Sequence, residues 1–132
     1  MTAKAWSPLL LLVEDDPGIR RSLLGWAALC DLRVVTYTSV EECMQALRER
    51  EFVLGEPSHE MQVSHAIVDF TLPGATGLEL VSAISPPLAL DQITLITART
   101  HEMPSGGRPL EQMPNVLRKP FQLSELESLL GL

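Results

Sequence analysis

The sequence predicts an α/β domain: a doubly wound, five-stranded parallel sheet with helices on both faces. Three observations carry this. Short apolar runs at Leu9 to Val13, Ala66 to Val68 and Ile93 to Thr97 are continuous rather than alternating, as strands buried on both faces require. Stretches with helical spacing separate them. Each run ends in, or is followed at once by, a residue with chemistry to offer, at the strand end where open α/β sheets keep their sites.

Taken in order, Met1 to Pro8 is a lead-in, and the first strand, Leu9 to Val13, ends in Glu14-Asp15-Asp16. Pro17 follows where a first helical residue is favoured. Ile19, Leu23, Trp26, Ala27 and Cys30 then recur at helical spacing, with Arg20 and Arg21 outside the stripe. Arg33 to Thr36 reads as a second strand. Ser39-Val40-Glu41-Glu42 is a capping box, opening a helix faced by Val40, Cys43, Met44 and Leu47. Glu51 to Ser64 has no period and contains Gly55 and Pro57, so a long surface loop is expected. The third strand ends in Asp69. A Leu72-Pro73-Gly74 turn, a helix from about Gly77 to Ser85 and a Pro86-Pro87 stop follow. The fourth strand is Ile93 to Thr97. His101 to Pro109 holds two Gly and two Pro in nine residues, a poor start for a helix. Val116-Leu117 is a brief fifth strand before Arg118-Lys119-Pro120, and Ser124-Glu125-Leu126-Glu127 reads as a second capping box for a final helix through Leu130.

Composition bounds the function. The chain has 132 residues, 45% hydrophobic and 20% charged, a single domain able to bury a core without staples. Ten basic against seventeen acidic residues give −7, which disfavours direct nucleic-acid binding and suits a metal cation or a basic partner. No apolar run approaches a membrane span or a signal-peptide core. Cys30 and Cys43 lack CxxC spacing and read as reduced core residues of a cytoplasmic protein. His59, His65 and His101 form no ligand pattern.

With a flavodoxin-like strand order, 2-1-3-4-5, the first and third strands are neighbours and their acids meet. Thr97 ends the fourth strand and Lys119 follows the fifth. Clustered carboxylates repel one another unless a cation joins them, and an all-oxygen donor set suits Mg²⁺. A free carboxylate beside such a metal is a phosphoryl-transfer site in kind: Asp69 as nucleophile forming an acyl phosphate, with Thr97 and Lys119 taking up charge on the phosphoryl oxygens. Each piece has a plainer reading too. Acids at Glu14 to Asp16 favour a helix N-terminus, Thr97 can be an ordinary strand-end residue and Lys119 a solvated charge. Their order at successive strand ends favours the site.

These residues resemble the receiver domain of two-component response regulators across nearly the whole chain (1–132). The resemblance rests on Leu-Leu-Val-Glu-Asp-Asp-Pro-Gly-Ile-Arg, Val-Asp-Phe-Thr-Leu-Pro-Gly-Ala-Thr-Gly, Leu-Ile-Thr-Ala-Arg and Leu-Arg-Lys-Pro-Phe. It implies that a sensor histidine kinase or phosphotransfer protein delivers a phosphoryl group to Asp69. It implies that Asp15, Asp69 and the Thr71 backbone carbonyl hold Mg²⁺, with Glu14 acting through water; Asp16 matches a less demanding position. Thr97 and Lys119 match the family's switch hydroxyl and lysine, and Lys119-Pro120 its cis peptide. A downstream output partner follows, a homodimer is left open, and no enzyme activity is expected beyond the domain's own phosphorylation and dephosphorylation.

Three departures stand out: Val116 occupies the family's switch-aromatic position, the fourth-helix region is rich in Gly and Pro, and the loop before the third strand is long. Two other classes compete. One is a receiver-like docking module that works without phosphorylation. The other is a haloacid-dehalogenase-type phosphatase, which wants a second Asp where this chain has Thr71.

Overall fold

The computed structural model describes residues 7–98, 109 and 112–132. Its elements are β1 (Leu9–Val13), α1 (Pro17–Leu29), β2 (Arg33–Tyr37), α2 (Val40–Arg48), β3 (His65–Asp69), the short strands β4 (Thr71–Leu72) and β5 (Ala75–Thr76), α3 (Gly77–Ile84), a 3₁₀ turn over Leu90–Gln92, β6 (Ile93–Thr97), β7 (Asn115–Arg118) and α4 (Leu123–Leu130). Five strands form one parallel sheet in the order β2-β1-β3-β6-β7. That is the expected 2-1-3-4-5 once the β4–β5 hairpin is set aside.

Period-two alternation divides the core. Leu9, Leu11 and Val13 join Ala66 and Val68 against α2 and α3. Leu10 and Leu12 join Ile67 and Ile96 against Trp26 of α1 and Leu126 of α4. Every β1 side chain is therefore buried, which is why the strand reads as unbroken apolar sequence.

Local signals set the helix ends. Asp16 caps α1, its Oδ1 accepting from the Ile19 amide at 2.9 Å, with Pro17 in the first turn. Ser39 caps α2 through the Glu42 amide at 3.1 Å, while the Glu42 carboxylate reaches the Thr38 amide at 3.0 Å. In the hairpin, Pro73 and Gly74 (φ +76°) occupy the corners where a turn wants fixed φ and then positive φ.

Several expectations need correction. The segment from Glu51 to Ser64 is not wholly superficial: Phe52, Val53 and Val63 are buried, and a Val53–Gln62 bridge holds the segment to itself. Its buried residues are isolated rather than periodic, so no pattern announces them. The Tyr37 hydroxyl donates to Glu51 at 3.0 Å, and its ring lies 5.8 Å from that of Phe52, anchoring the segment's start. The second capping box does not form: α4 starts at Leu123 with Gln122 as an N-cap whose side chain makes no capping bond, which puts Ser124 inside the first turn. Cys43 is buried, but Cys30 sits at the half-buried C-cap of α1. The Gly/Pro-rich stretch from His101 lies outside the described residues apart from Pro109. The Lys119-Pro120 bond is cis as expected; Ser85-Pro86 and Pro86-Pro87 are cis as well.

Candidate functional site

The sheet delivers its chemistry at the carboxyl ends of β1, β3, β6 and β7. The Glu14 amide donates to the Tyr37 carbonyl at 3.1 Å, extending the ladder one residue past β1 and holding Glu14 against its neighbours. The Glu14 side chain is wholly buried, Asp69 is 5% exposed and Thr97 1%, whereas Asp15 is exposed. Carboxylate oxygens of Glu14, Asp15 and Asp69 lie within 4.8 Å of one another.

Lys119 closes the cluster. Its Nζ donates to Glu14 Oε1 at 3.1 Å and to Asp69 Oδ2 at 3.2 Å. The lysine is positioned by its own amide, which donates to the Thr97 carbonyl at 2.7 Å and ties β7 to β6 just below the site. The other Asp69 oxygen, Oδ1, accepts from the Thr71 amide at 3.0 Å. Thr97 itself ends β6, the strand paired with β3.

These contacts fix the electrostatics. Burial, then the hydrogen bond and charge of Asp69, push the Glu14 carboxyl up to about 8, with Lys119 pulling the other way. Burial alone would lower the Lys119 ammonium, but its bonds to Glu14 and Asp69 outweigh that and raise it. One cation therefore faces three acids, and the cluster is short of positive charge. An all-oxygen donor set of this kind fits a hard divalent cation such as Mg²⁺.

Glu14, Asp15, Asp69 and Lys119 come together, Thr71 follows in the turn after β3 with its amide on Asp69, and Thr97 ends the neighbouring strand. The plainer reading holds for Asp16, which is the N-cap of α1, and not for Glu14, which points into the cluster. Two contributors were not foreseen. The Arg20 Nη1 donates to the Glu14 backbone carbonyl at 3.3 Å, although the spacing of α1 gave only its place outside the stripe. Gly77 packs against the Asp69 backbone, where an added Cβ would overlap the Asp69 carbonyl oxygen. The sequence signalled Gly77 only as a helix start.

No protein-family model matches the sequence, and neither does any curated protein. Solved structures do match. The response regulator StyR superposes with a TM-score of 0.70 at 22% identity over 95% of this chain, which spans 58% of StyR. A CheY-like response regulator receiver domain from Methylobacillus flagellatus gives 0.70 at 18% identity, covering 95% of this chain and 97% of that one. The chain has the receiver-domain fold. TrrA of Thermotoga maritima, a response regulator solved in complex with Mg²⁺-BeF, gives 0.66 at 24% identity over 92% of this chain and 94% of its own. TrrA also appears with the histidine kinase ThkA in a structure matched at 0.65 and 23% identity over 92% of this chain and 93% of that one. In the receiver fold, the Asp69 cluster lies at the crevice between β1 and β3, where the order of a doubly wound sheet reverses.

Proposed function

We propose that this chain is a phosphoacceptor switch of two-component signalling: Asp69 takes a phosphoryl group from a sensor histidine kinase or phosphotransfer protein, and the modified domain changes its binding to an output partner. The observation that supports this best is the Lys119 ammonium bridging Asp69 and Glu14 inside a three-carboxylate cluster. A lysine so placed orients the Asp69 carboxylate and offers charge to an arriving phosphoryl oxygen.

Residue roles follow from position. An Asp69 oxygen attacks phosphorus as the bond to the donor histidine breaks, and the electron pair leaves with the imidazole nitrogen. Oδ1 accepts from the Thr71 amide and Oδ2 from Lys119 Nζ, so both oxygens of the nucleophile are oriented before the donor arrives. Asp15, Asp69 and the Thr71 carbonyl are the groups that would hold Mg²⁺, supported by Glu14. When bound, the ion supplies positive charge to the phosphoryl oxygens. Thr97, buried at the end of the neighbouring strand, would offer its hydroxyl to the modified aspartate. The domain's own turnover is confined to gaining and losing this group.

The test is intact mass after incubation with acetyl phosphate and Mg²⁺, with Asp69→Asn alongside. One phosphoryl added to wild type, absent from the variant and lost when metal is chelated first, is the expected result. No adduct on folded wild type overturns the reading.

A second reading, a docking module indifferent to phosphorylation, is motivated by Val116, which lies 38% exposed on β7 and has neither ring nor hydroxyl to turn inward. It predicts equal partner binding by wild type and Asp69→Asn. The phosphatase reading lacks its acid/base, since Thr71 offers Asp69 only a backbone amide.

A further inference from the structure

The cation on the rim of the cluster points to how the donor is received. Arg20 lies one turn into α1, its amide donating to the Asp16 carbonyl at 3.0 Å. Its guanidinium returns to the strand end, with Nη1 3.3 Å from the Glu14 carbonyl oxygen. The carboxylate of the same Glu14 touches Lys119, which touches Asp69. Glu14 is thus contacted by two cations, Lys119 at its carboxylate and Arg20 at its backbone carbonyl.

The two are used differently. Lys119 is committed to both buried carboxylates. Arg20 is half-buried and takes part in no ion pair among the described residues, although Asp15 and Asp16 precede it closely. Among the described residues the guanidinium makes one hydrogen bond, long and to a neutral carbonyl, which leaves most of its donors for other partners. A half-desolvated cation in that condition gains from a doubly charged oxyanion, which its planar fork can grip at two oxygens.

Such an anion arrives when the donor does. A phosphoryl dianion approaching Asp69 meets the exposed carboxylate of Asp15, a like charge that repels it. We propose that Arg20 receives the donor's phosphoryl group and steers it onto Asp69. This rests on Asp69 being the phosphoacceptor. With acetyl phosphate, the Asp69 oxygen bonds to phosphorus, the phosphorus–oxygen bond to the acetyl group breaks, and acetate leaves with the electron pair. No proton moves, and Arg20 remains paired to the phosphoryl oxygens throughout.

The experiment measures initial rates of phosphoryl addition to the whole chain across a range of acetyl phosphate concentrations at saturating Mg²⁺. Mg²⁺ affinity is measured separately by calorimetry. Arg20→Ala should lower the second-order rate at least tenfold, Arg20→Lys should recover part of it, and Arg21→Ala, an exposed neighbour, should match wild type. Mg²⁺ affinity should stay within twofold in all three. Rates for Arg20→Ala within twofold of wild type overturn the inference, as does an equal slowing by Arg21→Ala, which would mean general charge. A parallel fall in Mg²⁺ affinity also overturns it, because Arg20 would then be shaping the Glu14 backbone. Should Arg20→Ala unfold, Arg20→Gln replaces it. If folded wild type takes up no phosphoryl group, the reading of Asp69 fails and this inference with it; uptake by wild type with an indifferent Arg20 sinks the inference alone.

Discussion

Replacing Gly77 with alanine should damage stability and site together, because the added methyl is driven into the backbone that carries Asp69. A Cβ there overlaps the Asp69 carbonyl oxygen and comes to 3.0 Å from Leu95 Cδ2 and 3.1 Å from the Asp69 carbonyl carbon. The Leu95 methyl can swing away. The carbonyl cannot, since it shares a peptide plane with the Phe70 amide, which donates to Ile96 at 2.8 Å, while the Phe70 carbonyl accepts from Gly77 at 2.8 Å. Overpacking of this kind costs about 1–3 kcal/mol, and two weakened hydrogen bonds add roughly 1 kcal/mol. Alanine's better helix propensity returns less than about 1 kcal/mol. The net loss is about 1–3 kcal/mol, or roughly 3–5 °C in Tm for each kcal/mol at this chain length. Urea unfolding measures the loss, and acetyl phosphate labelling reads displacement of Asp69 from Lys119. Gly25→Ala is the control: it lies within α1, a methyl there meets no heavy atom within 4 Å, and it should stabilise slightly. A Gly77→Ala protein as stable and as readily labelled as wild type refutes the argument, as does equal damage from Gly25→Ala.

Three other outcomes are expected. Asp15→Asn should weaken Mg²⁺ binding and labelling sharply by removing a charged hard ligand, and unchanged calorimetric affinity would show the β1 register to be misassigned. Without divalent cations, stability should fall as pH rises from about 4.5 to about 8: native Glu14 keeps a proton that the unfolded chain has lost, so the native state is favoured below that window and loses the advantage through it, at up to ~1.4 kcal/mol per pH unit. Glu14→Gln should flatten that slope in urea titrations, and an unaltered slope would assign it to other groups. Cys43, with burial and the Glu42 charge pushing its thiol up to about 12, should be alkylated at pH 8 on the order of a thousandfold more slowly in the native than in the unfolded protein, as mass spectrometry can follow; fast native labelling would contradict its burial.

The fold was legible where burial leaves no choice. Leu9 to Val13 and Ile93 to Thr97 are buried on both faces, so their composition alone marks the strands, and their bounds agree with the structure. Irregular packing left no such mark. Phe52, Val53 and Val63 are core residues reached by turns, and neither helical nor strand periodicity describes them. Ser124 shows the limit of motif reading: a Ser-x-x-Glu pattern was present, but Leu123 already belongs to the helix, so the serine has no terminus to cap.

For the site, the sequence supplied residue types and the sheet supplied their meeting. Glu14 and Asp16 illustrate the difference. Both are acids beside a helix start, and nothing local separates them. Pairing of β1 with β3 turns Glu14 inward beside Asp69, whereas Asp16, two residues later, turns back to cap α1. The same geometry bears on Val116. Its register partner is Leu95, in the middle of β6, while Thr97 pairs with Arg118 immediately before Lys119. The residues around Asp69 are thus held by strand-end backbone bonds that do not pass through Val116. Under the proposed function, its lack of a ring leaves the acceptor site intact and sends the phosphorylation signal out by another path. The Lys119 amide on the Thr97 carbonyl would be such a path, because it ties the end of β6 to the turn that leads through Pro120 into α4.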